Sequence, residues 1–219
     1  MAIGPLLVFT LNVLSAAVAL LTSYYAYKFS RMAENPILSS IAFGFMLLGI
    51  GLLIEAATSA VAQTTLVHAF LSKVLTAVED YTYLSMQMVA YLVFAVGYAA
   101  LTFRRSATAA VLGVAALAAA PKAASAVGLY SYAVVSYFVV LILLGFVVFQ
   151  GALIHSRSPS RFSLLVLVAF LLILAAHVVL LISVVNLSEE LFLIGTAVQF
   201  LGFVSLFAFL LRSGRVGAG

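Results

Sequence analysis

Apolar residues fill long uninterrupted runs of this chain, and polar residues cluster in the short stretches between them. A helix rises ~1.5 Å per residue, so runs of ~20 apolar residues are long enough to cross the ~30 Å hydrocarbon core of a bilayer. The pattern predicts seven such helices, at about 4–29, 37–62, 80–103, 107–127, 130–154, 160–185 and 191–211. Asn35-Pro36, Arg104-Arg105, Pro121-Lys122, the segment from Ser156 to Arg161, and Asn186-Leu187-Ser188 separate them, with Ser188 placed to cap the last helix. Residues 63–79 differ, since apolar positions at helical spacing face His68, Ser72 and Lys73. That stretch predicts an interfacial amphipathic helix or an outward extension of the third span.

Composition turns the pattern into a class. Hydrophobic residues make up 66% of the 219 and charged residues 7%, with a mean hydropathy of +1.31. No soluble domain of this size could cover itself with so little polar surface. The expectation is an all-α integral membrane protein, a seven-transmembrane-helix bundle. Met1 to Pro5 lack the basic residues of a signal peptide, so the first run is expected to be retained. The short tail after the last helix, 213–219, leads to an expectation of no soluble output domain. Without cysteine there are no disulfides, thiolate metal sites or cysteine nucleophiles, and without tryptophan an interfacial belt must come from the 10 Tyr and 17 Phe.

The net charge of +4 would suit a nucleic-acid binder, but the placement of the charges argues against it. Lys28, Arg31, Arg104, Arg105, Arg157, Arg161, Arg212 and Arg215 fall on one side of the predicted membrane, and only Lys73 and Lys122 on the other. The positive-inside rule then predicts an outside N-terminus and a cytoplasmic C-terminus in the cell membrane, with the basic rim contacting anionic lipid.

A repeat is visible in the same charges. Shifting the chain by 110 lays Glu79 on Glu189, Asp80 on Glu190 and Arg105 on Arg215; a shift of 126 lays Ser30-Arg31 on Ser156-Arg157. One transmembrane domain, 1–219, would thus hold a first repeat at about 4–105, a linker helix at 107–127 and a second repeat at about 130–215. Three spans plus a linker restore the starting direction, so the two repeats would be parallel. Membrane topology alone, with acidic outer ends and basic inner ends, would produce a similar likeness.

Five polar side chains interrupt the apolar runs at one predicted depth. Asn12, Glu55, Gln87, His177 and Gln199 each sit roughly seven to nine residues from the outer edge, or ~10–13 Å below it. Tyr83, Tyr91, Tyr132 and Tyr137 come from neighbouring levels. Asn12, Glu55, Gln87, Tyr91, Tyr137, His177 and Gln199 are therefore the candidates for binding a small polar ligand at the outer side or for relaying a proton. Buried amides and a lone histidine also serve simply to hold membrane helices together. Glu55 is the most costly to bury, and so the most in need of a reason. His68, His155 and His177 lie at three different depths, which does not suit bis-histidine haem. Glu79, Asp80, Glu189 and Glu190 form an acidic outer rim, read as solvated ends or a weak cation site. No nucleophile–base pair, phosphate loop or metal-ligand spacing stands in the sequence, so neither an enzyme nor a cofactor is expected.

The seven-span, three-plus-one-plus-three plan with an outside N-terminus resembles rhodopsins and SWEET-type sugar transporters. Rhodopsins hold retinal through a lysine in the last helix, and 191–211 contains none. SWEET-type transporters break their helices with prolines near the binding level, whereas Pro5, Pro36, Pro121 and Pro159 lie at predicted helix ends. The stretch YYAYKFSRMAENPILSSIAFGFMLLGIGLLIEA, 24–56, resembles the first hairpin of uncharacterised archaeal membrane proteins and of the seven-transmembrane input domains of prokaryotic sensor kinases. That resemblance implies a sensor or receptor-like module acting through a partner protein in the membrane or cytoplasm. Two other readings stand beside it: a structural or accessory subunit of a larger membrane complex, and a small-solute or proton-coupled transporter.

Overall fold

The computed structural model describes residues 3–33, 36–62, 69–102 and 128–216. They form six helices: α1 (Ile3–Ala33), α2 (Pro36–Ala62), α3 (Ala69–Thr102), α4 (Leu129–Arg157), α5 (Arg161–Asn186) and α6 (Glu189–Val216). All six are long and apolar enough to cross a membrane, and by length and composition they make a multi-pass membrane bundle. The helix predicted at 107–127 lies outside the described residues. Of the amphipathic stretch at 63–79, the part from 69 onward is continuous with α3, so it extends that span rather than forming a separate helix.

The helices form a closed ring. Each packs on its sequence neighbour, α3 packs on α4, and α6 returns to α1. Contact pairs fix the directions. Ser23 Oγ donates to the Ala42 carbonyl at 2.7 Å while Gly49 faces Leu20, so α1 and α2 are antiparallel. Gly51 faces Met86 and Gly97 faces Ser40, so α2 and α3 are antiparallel too. Along α3 and α4, Tyr81 meets Tyr132 and Tyr98 shares a cavity wall with Val147, so these two helices run parallel. His155 bonds Ser163 and Tyr137 meets His177, which makes α4 and α5 antiparallel. Gly195 against Leu180 and Gly202 against Ile173 do the same for α5 and α6. Helices α1, α3, α4 and α6 therefore point one way, and α2 and α5 the other. One end of the bundle carries Glu189 and Glu190; the opposite, basic end carries Lys28, Arg31, Arg157, Arg161 and Arg212.

Burial follows from this ring. Leu14, Leu21, Phe43, Ile50, Phe138, Ile142, Phe149, Leu171 and Leu201 are exposed around its outside, as a hydrocarbon solvent requires. At mid-height Phe45 of α2 contacts Phe94 of α3 at 5.3 Å between ring centroids and Phe203 of α6 at 5.4 Å. Phe94 also meets Phe170 of α5 at 5.7 Å. These edge-on and tilted contacts suit aromatic quadrupoles, and they close the centre of the bundle with one fully buried layer. Several hydroxyls within the helices turn back on their own backbone, as Thr22 does to Val18 and Thr196 to Phe192, which satisfies those donors in an apolar setting. At the basic end Tyr24 and Tyr27 are exposed, and Arg31 lies over the Tyr27 ring.

The turns carry their signals in sequence. Ser160 accepts from the Ser163 backbone and completes a capping box for α5, and Ser188 accepts from Leu191 N at the start of α6. Between them Leu187 ends α5 with φ at +52°, a conformation that costs a non-glycine residue roughly 1–2 kcal/mol. Its side chain is 80% exposed and loses little packing on removal. Leu187→Gly is thus expected to stabilise the solubilised protein by about 1 kcal/mol, read as a rise of about 2–4 °C in melting temperature. A fall would show that the side chain, not the backbone, matters there.

Candidate functional site

One face of α3 presents Tyr83, Gln87, Tyr91, Phe94 and Tyr98, all buried. Their spacing of three or four residues lines them along one stripe of a 3.6-residue helix. The upper part of this stripe, toward the acidic end, is polar, and the other helices converge on it. His177 of α5 is completely buried and joins Gln87 at 2.9 Å through Nε2. Its Nδ1 stands 2.7 Å from the Ile173 carbonyl, which can only accept. Nδ1 therefore carries the proton, Nε2 accepts, and the Gln87 amide donates to it. The same amide nitrogen donates to the Tyr83 hydroxyl at 3.0 Å. Both Gln87 N–H bonds are used, and the imidazole is held as one neutral tautomer.

Aromatic rings hold the imidazole on two sides. Tyr91 stands edge-on to it at 5.1 Å, and Tyr137 of α4 is tilted against it at 6.3 Å. Glu55 of α2 and Gln199 of α6 both act on the Tyr83 hydroxyl, and Gln199 also acts on Tyr91. Six of the seven sequence candidates, Glu55, Gln87, Tyr91, Tyr137, His177 and Gln199, thus gather around Tyr83 from five helices. Asn12 does not join them. It is buried on α1 at the expected level, but no hydrogen bond links it to the others.

Several buried polar atoms on α3, α4 and α6 make only poorly aligned hydrogen bonds or none. Gln87 Oε1, the Tyr91 hydroxyl, Ser136 Oγ and Gln199 Nε2 make no bond of proper geometry. Leaving such an atom unsatisfied costs about 1–3 kcal/mol, so each of these four, on α3, α4 and α6, calls for an explanation. Ser136 was not singled out by the sequence, although it precedes Tyr137 and lies one turn from Tyr132 on α4. Tyr132 itself pairs with Ser85 at 2.7 Å and stacks on Tyr81, nearer the acidic end. His155 lies apart at the basic end on Ser163. Among the described residues no group of three His, Asp or Glu side chains could hold a metal ion.

Acceptors at Gln87 Oε1, a donor at Gln199 Nε2 and two-way hydroxyls at Tyr91 and Ser136 suit a small molecule bearing both donors and acceptors. No family model, curated protein or solved structure matches this chain.

Proposed function

We propose that this chain is a seven-span, receptor-like membrane module that binds a small polar ligand in the cluster around Tyr83 and acts through a partner protein. The observation that carries the reading is the uncommitted hydrogen-bonding capacity of Gln87, Tyr91, Ser136 and Gln199 inside a fully buried polar layer. The bond directions favour binding over proton relay. Gln87 gives N–H bonds to both Tyr83 and His177, and an amide between two titratable groups does not pass a proton on.

Helix directions support the three-plus-one-plus-three plan. Because α3 and α4 run parallel, Thr102 and Leu129 belong to opposite ends of the bundle, as a plan with one further span between them requires. The central layer supports the repeat: Phe45 and Phe170 come from the middle helices of the two units, Phe94 and Phe203 from the third. In such a repeat their spacing would give an α3-to-α6 shift of 109, one less than the charges suggest. With the basic end cytoplasmic, the polar cluster would belong to the outer half of the cell membrane, the half that an external ligand enters first.

The test is a thermal-shift screen of the detergent-purified protein against small polar metabolites. A ligand at ~100 times its Kd contributes about 2.7 kcal/mol, so a rise of roughly 5–10 °C is expected for a true ligand. Gln87→Leu should remove that rise, and the liganded protein should bring a stoichiometric partner through gentle solubilisation. A broad screen without any shift, or a shift retained by Gln87→Leu, defeats the reading.

One observation favours transport as the second reading. The aromatic layer separates the polar cluster from a cavity at the basic end, the arrangement of a closed gate between a site and a vestibule. Transport predicts solute flux in proteoliposomes that Glu55→Gln abolishes without unfolding the protein; a receptor shows no flux in either form.

A further inference from the structure

Beyond the aromatic layer, toward the basic end, lies a cavity of about 200 Å³ walled by every described helix except α1. Ile41, Val147, Leu167, Leu206 and Phe209 are typical of its lining, which carries only Tyr98 and Ser163 as polar side chains. A smaller cavity of ~150 Å³ lined by Leu, Ile and Phe is known to stay dry and to accept a hydrocarbon ring. This one is accordingly a site for hydrocarbon rather than for water.

The end of the bundle nearest to it is not apolar. Ile154, Ser163 and Phe209 line the cavity near the helix ends, and within about one turn of each come Arg157, Arg161 and Arg212, all exposed. Three arginines from three helices thus belong to the end of the bundle toward which the cavity lies. Among the described residues no acidic one belongs to that end. Of the acidic residues described, Glu189 and Glu190 occupy the other end, Glu55 belongs to the polar cluster, and Glu79 and Asp80 precede the membrane span of α3. A hydrocarbon slot beneath an arginine rim fits a molecule with an apolar tail and an anionic head. Guanidinium forks match phosphate oxygens, and a leaflet of anionic lipid offers phosphate and tail together.

We propose that this cavity is a binding site for one acyl chain of an anionic phospholipid, with its phosphate held by Arg157, Arg161 and Arg212. The site is separate from the polar cluster and stands whether or not that cluster binds a ligand. The Gly151 position gives a direct probe. A side chain added there meets only Leu167 Cδ1, at 3.4 Å, so Gly151→Leu would extend into the cavity.

The experiment compares melting temperatures of the full chain in a neutral detergent with added phosphatidylglycerol, phosphatidylcholine of the same chains, or glycerol phosphate alone. Phosphatidylglycerol should raise the melting temperature of the wild type by roughly 5 °C, and the other two should not. Gly151→Leu should lose the response. The variant carrying Arg157→Gln, Arg161→Gln and Arg212→Gln should retain the lipid at least roughly 10-fold more weakly in native mass spectrometry. This surface variant decides the matter if Gly151→Leu does not fold. Equal responses to the two lipids, a response to glycerol phosphate alone, or undiminished retention by the arginine variant would each overturn the proposal. So would a full response from folded Gly151→Leu, which would assign the lipid to the outer surface.

Discussion

His177→Ala is expected to lower the melting temperature of the solubilised protein by roughly 10 °C. Removing a fully buried ring from between Tyr91 and Tyr137 costs about 3–5 kcal/mol by analogy with aromatic truncations in cores, and each kcal/mol is worth about 2–4 °C for a domain of this length. The loss combines two effects that a second variant separates. His177→Phe retains a ring but deletes the Nε2 acceptor, stranding one Gln87 N–H; its cost should be nearer the ~1–3 kcal/mol of one buried unmet donor. Gln87→Leu strands the imidazole nitrogen in turn and removes the bond to Tyr83. In the double variant of His177→Phe with Gln87→Leu the two penalties should partly cancel, with a coupling of about 1–2 kcal/mol. Strict additivity would mean that the two side chains do not share a bond in solution, and the polar cluster would lose its centre.

Depth along a membrane helix was readable from sequence, and rotation was not. The rise per residue placed Gln87 and His177 at one level although 90 positions separate them, and they share a hydrogen bond. Helices that are apolar on nearly all sides give no stripe from which to judge which way a residue faces. Asn12 illustrates the consequence, being at the expected level and buried, yet without a bond to the cluster. On α3 Tyr83, Gln87 and Tyr91 recur every four residues, a spacing that the helix turns into one stripe, but depth alone did not single it out. Ser136 was invisible for the opposite reason, since a serine inside a membrane helix ordinarily bonds its own backbone and carries no signal until its surroundings are known. The central layer of Phe45, Phe94, Phe170 and Phe203 was equally hidden among 17 phenylalanines. Helix starts were clearer, because Pro36, Ser160 and Ser188 each satisfy a backbone requirement that few residues can.

The tight approach of α2 to α3 leads to the second large effect. Gly44 lies so close to the Phe94 ring that a methyl group at its Cβ position would overlap the ring edge, and Gly97 is held the same way against Ser40. Phe94 has nowhere to retreat: Phe45, Tyr91 and Phe170 surround it at centroid distances of 5.3, 5.7 and 5.7 Å. Gly44→Ala should therefore destabilise by about 1–3 kcal/mol although alanine is the better helix former by about 1 kcal/mol. Gly145→Ala on α4 is the matched comparison, since nothing stands within 4 Å of its added Cβ, and it should be neutral or slightly stabilising. Adding Phe94→Leu to Gly44→Ala should recover part of the loss by making room for the methyl group. The strain also has a route to the polar cluster, because Phe94 touches Tyr91 and Tyr91 touches His177. Gly44→Ala should accordingly weaken any ligand response of the cluster as well as stability, whereas Gly145→Ala should alter neither. If the two glycine variants melt alike, the helices can part without penalty and the aromatic layer does not fix the site above it.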